Sequence, residues 1–144
     1  MASVSVSIDI AASAEEVWLL VGDFDGLPVW LELIRSSRLS DDSRVRRLAA
    51  ANGSIVVERL LDHSDANMEY RYTIIESPDP VTDYIASMSV RRLDARSTTV
   101  TWASRFEPNI PGEAETITAN YRSLYLAGLS RLKAILEARS TQKA

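Results

Sequence analysis

The sequence predicts an α+β fold: a curved antiparallel sheet of about seven strands wrapped around a long C-terminal helix, with two short helices after the first strand. Three observations predict it. From about residue 33 to residue 107 apolar and polar residues alternate with a period of two almost throughout, broken only by short turn signals. Short connections between neighbouring strands imply antiparallel hairpins. From Glu113 to about Arg139 the apolar positions instead recur at helical spacing. A sheet with one wet face and a helix with one apolar face need each other, and closing one on the other is the economical solution.

Each element can be justified in order. Val4, Val6, Ile8 and Ile10 alternate with Ser3, Ser5, Ser7 and Asp9, which reads as a half-buried strand. In SAEEVWLLVGDF, Ser13 stands three residues before Glu16, a capping box at a helix start. Val17, Leu20 and Val21 supply an apolar stripe, and Gly22 ends the helix. The loop from Asp23 to Trp30 holds room for one further helical turn. RVRRLAA, SIVVERLLDH, MEYRYTIIE, YIASMSVRRL and TTVTWASRF then read as successive strands. Asp41-Asp42, Asn52-Gly53, Ser64-Asp65, ESPDP and Asp94-Ala95 are the turns between them. Pro108, Pro111 and Gly112 stop the last strand. In the final helix Ile117, Tyr121, Leu124, Tyr125, Gly128, Leu132 and Ile135 share one side. Glu113 and Glu115 near its start and Arg131, Lys133 and Arg139 near its end suit the helix dipole. About 27 residues at 1.5 Å each span roughly 40 Å, and the tail STQKA is expected to fray.

Composition narrows function mainly by exclusion. The 144 residues fit one domain, 1–144, large enough for a core and for a cavity within it. Hydrophobic residues make up 46% and charged residues 25%, with a net charge of −4 and both signs mixed along the chain. No basic block suggests nucleic acid or a polybasic membrane patch. The absence of cysteine removes disulfides, thiolate catalysis and cysteine-ligated metals. The start alternates like a strand instead of showing a signal peptide, and no apolar run approaches a membrane span, so the expected location is cytoplasmic. The single histidine, His63, rules out a histidine-rich metal site, the carboxylates lack EF-hand spacing, and no phosphate-binding glycine loop is present. No cofactor is expected.

The pieces EEVWLLVGDFDGLPVW, IVVERLLDHSD, YRYTIIESPDPVTDYIASMSV, VTWASRF and YRSLYLAGLSRLKAIL, in this order and separation, resemble the START-like, Bet v 1-like (SRPBCC) superfamily with the helix-grip fold. The similarity is to its bacterial polyketide cyclase/dehydrase-like branch and covers nearly the whole chain. It implies an apolar cavity between the sheet and the long helix. Parity gives the lining. Tyr70, Tyr72 and Ile74 share one face, as do Tyr84, Ala86, Met88 and Val90, and Val100, Trp102, Ser104 and Phe106. Their odd partners Arg71, Thr73, Asp83, Arg91, Thr99, Thr101 and Arg105 look wet, so the even face is the inner one. SIVVERLL alone leaves its parity ambiguous; the resemblance puts Val56, Glu58 and Leu60 on the inner face.

Glu58 is then the most informative residue. A carboxylate facing an apolar cavity could hold a ligand hydroxyl or act as acid or base; it could equally be a structural carboxylate paired with Arg59, Arg71 or trapped water. Tyr72, Tyr84, Tyr121 and Tyr125 combine apolar rings with one hydroxyl each, suited to orienting a mostly apolar ligand or to filling a core. Trp102 and Phe106 read as wall or core, and Leu33, Ile117 and Leu124 as further lining. Trp30 either plugs the core with Phe24 or walls the binding site. In related bacterial proteins the matching loop closes one end of the cavity and a histidine-proline pair follows the tryptophan; here Leu31 and Glu32 follow. In the abscisic acid receptors a lysine stands where Leu31 does, so the resemblance implies an uncharged ligand at that end. The ESPDPVTDY loop matches the receptors' gate loop by position but reads as a hairpin connection. His63 beside Asp62 and Ser64 reads as a solvated turn residue, since adjacency in sequence is not triad geometry.

These readings point to binding of a small, mostly apolar ligand of lipid, polyketide or aromatic type, with Glu58, the tyrosines and Ser104 setting its orientation. A polyketide cyclase/aromatase/dehydrase-type enzyme using Glu58 with Tyr84 or Tyr72 is the alternative. A protein-interaction domain with a filled core is the third.

Overall fold

The computed structural model describes residues 1–143, the last four through their backbone alone. The strands are β1 (Ala2–Ile10), β2 (Ile34–Ser40), β3 (Val45–Ala50), β4 (Ile55–Ser64), β5 (Glu69–Glu76), β6 (Val81–Asp94) and β7 (Ser97–Pro108). Helices α1 (Ala14–Val21) and α2 (Leu27–Trp30) follow β1, and α3 (Ala114–Lys143) ends the chain. All seven strands form one antiparallel sheet in the order β1-β7-β6-β5-β4-β3-β2. Every neighbouring pair is a hairpin except β1 and β7, whose pairing joins the two ends of the sequence. This is the helix-grip arrangement: a curved sheet whose inner face grips α3. The helix extends past Arg139 to Lys143; of the tail expected to fray, residue 144 lies outside the described residues, as do the side chains of 140–143.

Local chemistry explains the elements. The Ser13 hydroxyl accepts from the Glu16 backbone N–H at 3.2 Å and donates to the Glu16 carboxylate at 3.3 Å, so Ser13 is the N-cap that the spacing predicts. Gly22 does end α1, but for a different reason than the left-handed cap. Its φ is −75°, which any residue adopts; a Cβ there would lie 2.5 Å from the Trp18 indole, so it is close approach that excludes a side chain. The turn between β2 and β3 places Asp41, Asp42 and Ser43 all at positive φ, a conformation aspartate tolerates better than most residues.

Even positions 70 and 72 of β5, 84–90 of β6 and 98–106 of β7 are buried, as parity predicts, and Ile74 is half-buried. In β4, Glu58 lies opposite Ile74 and Leu60 opposite Tyr72, which settles the ambiguous parity of SIVVERLL in favour of the inner face. A bulge between Leu60 and Asp62 then reverses it, so that His63, not Asp62, pairs with Tyr70 on that face. At its far end α3 is fixed by Glu137, which accepts from the Ala11 N–H at 2.9 Å and from Lys133, while Lys133 also donates to the Asp9 carbonyl at 2.8 Å. Among the described residues no helix is long and apolar enough to cross a membrane.

Candidate functional site

The sheet and α3 enclose a cavity of about 440 Å³. Its walls come from four places. Leu48, Ala50, Val56 and Glu58 belong to β3, β4 and the hairpin between them, Tyr72, Ile74, Tyr84 and Trp102 to the middle of the sheet. Leu27, Leu31, Leu33 and Ile34 come from α2 and the chain after it, and Ile117, Tyr121, Leu124 and Tyr125 from α3. The exposed members, Leu33, Asn52, Pro78, Asp79, Ile110, Thr116 and Asn120, mark the mouth.

Twelve of the eighteen residues proposed from the sequence meet here: Leu31, Leu33, Val56, Glu58, Tyr72, Ile74, Tyr84, Trp102, Ile117, Tyr121, Leu124 and Tyr125. Six do not reach the cavity. Ala86, Met88 and Phe106 are on the inner face but are sealed in the core, each at most 1% exposed. Leu60 packs partly buried against that core. Ser104 sits behind Tyr125, whose hydroxyl donates to it at 2.8 Å. Trp30 also lies behind the wall: it is 1% exposed and meets Trp102 edge-on with ring centroids 5.6 Å apart. Its Nε1 is fully enclosed without a hydrogen-bond partner. Trp30 is thus a core plug, and Leu31 takes the wall position beside it. Both rest on Gly128, where a Cβ would come within 2.9 Å of Leu31 Cδ1 and 3.1 Å of the Trp30 ring.

Glu58 has a partner that the sequence reading missed. Arg46, across from it on β3, directs both Nε (2.8 Å) and Nη2 (2.7 Å) at Glu58 Oε1, and its Nη1 donates to the Phe24 carbonyl at 2.9 Å. Arg59 and Arg71 are instead exposed and pair with Asp41 and Asp62. Arg46 is 1% exposed, its guanidinium 4.1 Å from the centroid of Phe24 and 4.8 Å from that of Tyr72. Such a cation between ring faces is stabilised by the π quadrupoles as well as by the carboxylate. Parity held the signal: in RVRRLAA, Arg46 shares its face with Leu48 and Ala50. Burial pushes the Glu58 carboxyl above its ordinary range, and the Arg46 charge opposes this. Burial works against the guanidinium's charge, but the facing Glu58 carboxylate outweighs it and holds the group charged.

A second polar set runs through the aromatics. Trp102 Nε1 donates to the Tyr72 hydroxyl at 3.0 Å, which lies 3.5 Å from that of Tyr84; Tyr84 and Tyr125 share a short hydrogen bond; Tyr125 donates to Ser104. Tyr121 donates to Asp79 at 2.8 Å, tying the 76–80 loop to α3 at the mouth. Burial raises the pKa of Tyr72, Tyr84, Tyr121 and Tyr125, so all four stay neutral and act as hydrogen-bonding groups. His63 is exposed, as expected, but it lies within β4 and not in a turn: its Nε2 lies 2.7 Å from the Gly22 carbonyl and its ring stacks on Tyr70, opposite which the bulge in β4 places it. Among the described residues no three acidic or histidine side chains gather as a metal site.

Residues 1–137 match the family model described as polyketide cyclase/dehydrase and lipid transport. The chain belongs to this family. Within the polyketide cyclase/dehydrase and lipid transport family, similarity extends to the solved structure of the protein XoxI from Bacillus cereus. That chain is 34% identical over 94% of this one and 96% of its own, with a TM-score of 0.91. The ZhuI aromatase/cyclase of a Streptomyces species shares the fold at 18% identity (TM-score 0.84, covering 96% and 94%). A START superfamily protein from Mycobacterium smegmatis does so at 22% (TM-score 0.70, covering 99% of each chain). None of the curated proteins compared with the chain matches it. The cavity walls are mostly carbon, with few polar groups converging on the space.

Proposed function

We propose that this protein is a single helix-grip unit, cytoplasmic, that binds a small, mostly apolar molecule of lipid, polyketide or aromatic type in the cavity between sheet and α3. The observation that carries the reading is the cavity itself, about 440 Å³ and walled by leucine, isoleucine, valine and aromatic side chains. Pockets that enclose small ligands run from roughly 300 to 1,000 Å³ and combine apolar walls with a few placed polar groups. Burying about 200 Å² of apolar ligand surface would supply roughly 5 kcal/mol before the costs of association. The space also leaves the idea of a filled interaction domain without support.

One observation favours an enzyme of the cyclase/aromatase or dehydrase type: Glu58, a carboxyl with a raised pKa, lies on the cavity wall. Binding remains the stronger reading. Arg46 holds one oxygen of that carboxylate, and tyrosines with raised pKa values are poor proton donors.

The test is native mass spectrometry after gentle purification, comparing wild type with Leu124→Trp, which fills the cavity from α3. Extra mass on the wild type that the variant lacks supports the reading. A bare chain in both, together with failure to take up any aromatic or acyl probe, would remove it.

A further inference from the structure

The unused hydrogen-bonding capacity of the cavity wall selects a chemical class. Glu58 is 6% exposed, and the hydrogen bond and the ion-pair contact from Arg46 both end on Oε1. No described group donates to Oε2. That oxygen is not sealed in the core either, since Trp30 Nε1 is the fully enclosed side-chain polar atom without a partner. It therefore opens on the cavity that Glu58 lines.

The donors nearby are almost all committed. Tyr125 gives its hydrogen to Ser104, so the shared bond with Tyr84 uses Tyr84's; Tyr121 gives its hydrogen to Asp79. Tyr72 accepts from Trp102, and its own hydrogen has only Tyr84, at the 3.5 Å limit of a bond. Tyr72 and Glu58 stand diagonally on neighbouring strands of the inner face. The interior thus offers one free acceptor beside one loosely held donor. Apart from Glu58, the charged groups on the wall are Asp79 and Glu113; among the described residues no lysine, arginine or histidine lines it.

We infer that the cavity takes a neutral, hydroxyl-bearing apolar molecule, a phenol or alcohol, whose O–H donates to Glu58 Oε2 and accepts from Tyr72, and that it rejects carboxylates. This rests on the cavity reading above. A hydroxyl complements both unused positions. A ketone or ether satisfies Tyr72 but leaves Oε2 stripped of water without a donor, the costly arrangement. A carboxylate would meet Glu58 as a like charge with no free cation to offset it.

Isothermal titration calorimetry with 2-naphthol, 2-methoxynaphthalene and 2-naphthoate holds the aromatic body constant. The expected order is 2-naphthol tighter than 2-methoxynaphthalene by at least about tenfold, with 2-naphthoate weaker still. In Glu58→Gln the carboxamide turns its N–H₂ toward the cavity while its oxygen keeps Arg46, and the naphthol preference falls below about threefold. The ether binding within about threefold of naphthol to the wild type, or naphthoate binding as tightly, would overturn this inference and leave the cavity reading standing. Binding by none of the three would overturn both. If Glu58→Gln does not fold, the wild-type comparison still decides.

Discussion

Replacing Arg46 by leucine removes the only cation among the described residues that faces Glu58 and leaves a buried carboxylate on a wall shared with Leu48, Val56, Tyr72 and Ile74. Two charge-assisted hydrogen bonds are lost, one to Glu58 and one to the Phe24 carbonyl, together with the Nη2 ion-pair contact to Glu58 and the contacts to the Phe24 and Tyr72 ring faces. Breaking a buried pair from one side costs about 3–5 kcal/mol, and for a chain of this size each kcal/mol lowers Tm by about 3 °C. A drop of roughly 9–15 °C at pH 7.5 follows. The pH dependence has a definite sign. Burial already raises the Glu58 pKa, and without Arg46 nothing opposes it. A carboxyl whose folded pKa exceeds its unfolded value favours the folded state below the unfolded pKa and loses that contribution as pH rises toward the folded one. The deficit of Arg46→Leu should therefore shrink as pH falls from 7.5 toward about 4.5. The double variant Arg46→Leu/Glu58→Leu should recover most of the loss, because a well-packed apolar pair replaces a desolvated ionic one. Urea unfolding followed by tryptophan fluorescence at several pH values measures all three. A cost under about 1 kcal/mol, or a double variant no better than the single, would refute the reasoning.

Three further predictions concern the packing and the tyrosines. Gly128→Ala should destabilise by about 1–3 kcal/mol, although alanine is the better helix former by about 1 kcal/mol, because the new methyl meets Leu31 and the Trp30 and Trp102 rings at 2.9–3.3 Å; thermal unfolding checks it. All five tyrosines have raised pKa values, so the native protein should show no tyrosinate absorbance near 295 nm at pH 10. With folded values above the unfolded one, stability is intact below about pH 10 and lost as pH rises beyond it, so ionisation should coincide with alkaline unfolding. Tyr84→Phe and Tyr125→Phe should each cost about 1 kcal/mol, and the pair less than the sum, since they share one hydrogen bond; a double-mutant cycle reads the coupling.

How much the sequence discloses depends on whether a signal is periodic or pairwise. Alternation in β5 to β7 and helical spacing in α3 are periodic, and they bring the sheet, the helix and the side chains of Tyr72, Tyr84, Trp102, Tyr121 and Tyr125 to the right face. Depth along that face is not periodic. Ala86, Met88 and Phe106 obey the same parity as Tyr84 yet are sealed in the core, because burial depth depends on what packs over each position, as the Tyr121 ring does over Phe106. Arg46 was readable by parity with Leu48, but an arginine in RVRRLAA among two others carries no mark of being the buried one until β3 is paired to β4. The bulge after Leu60, which sets His63 opposite Tyr70, leaves no pattern in SIVVERLLDH either. The mouth residues Pro78, Asp79 and Ile110 come from loops, where position at the cavity follows from tertiary placement alone.

Heteronuclear NMR of the full chain during a titration with 2-naphthol tests the central claim most directly. A guest inside the cavity should perturb the amides of Val56, Glu58, Ile74, Leu124 and Tyr125 together, leaving the outer face around Arg71, Ser87 and Arg105 unchanged. Perturbations confined to that outer face, or none at saturating probe, would contradict an interior that receives a ligand.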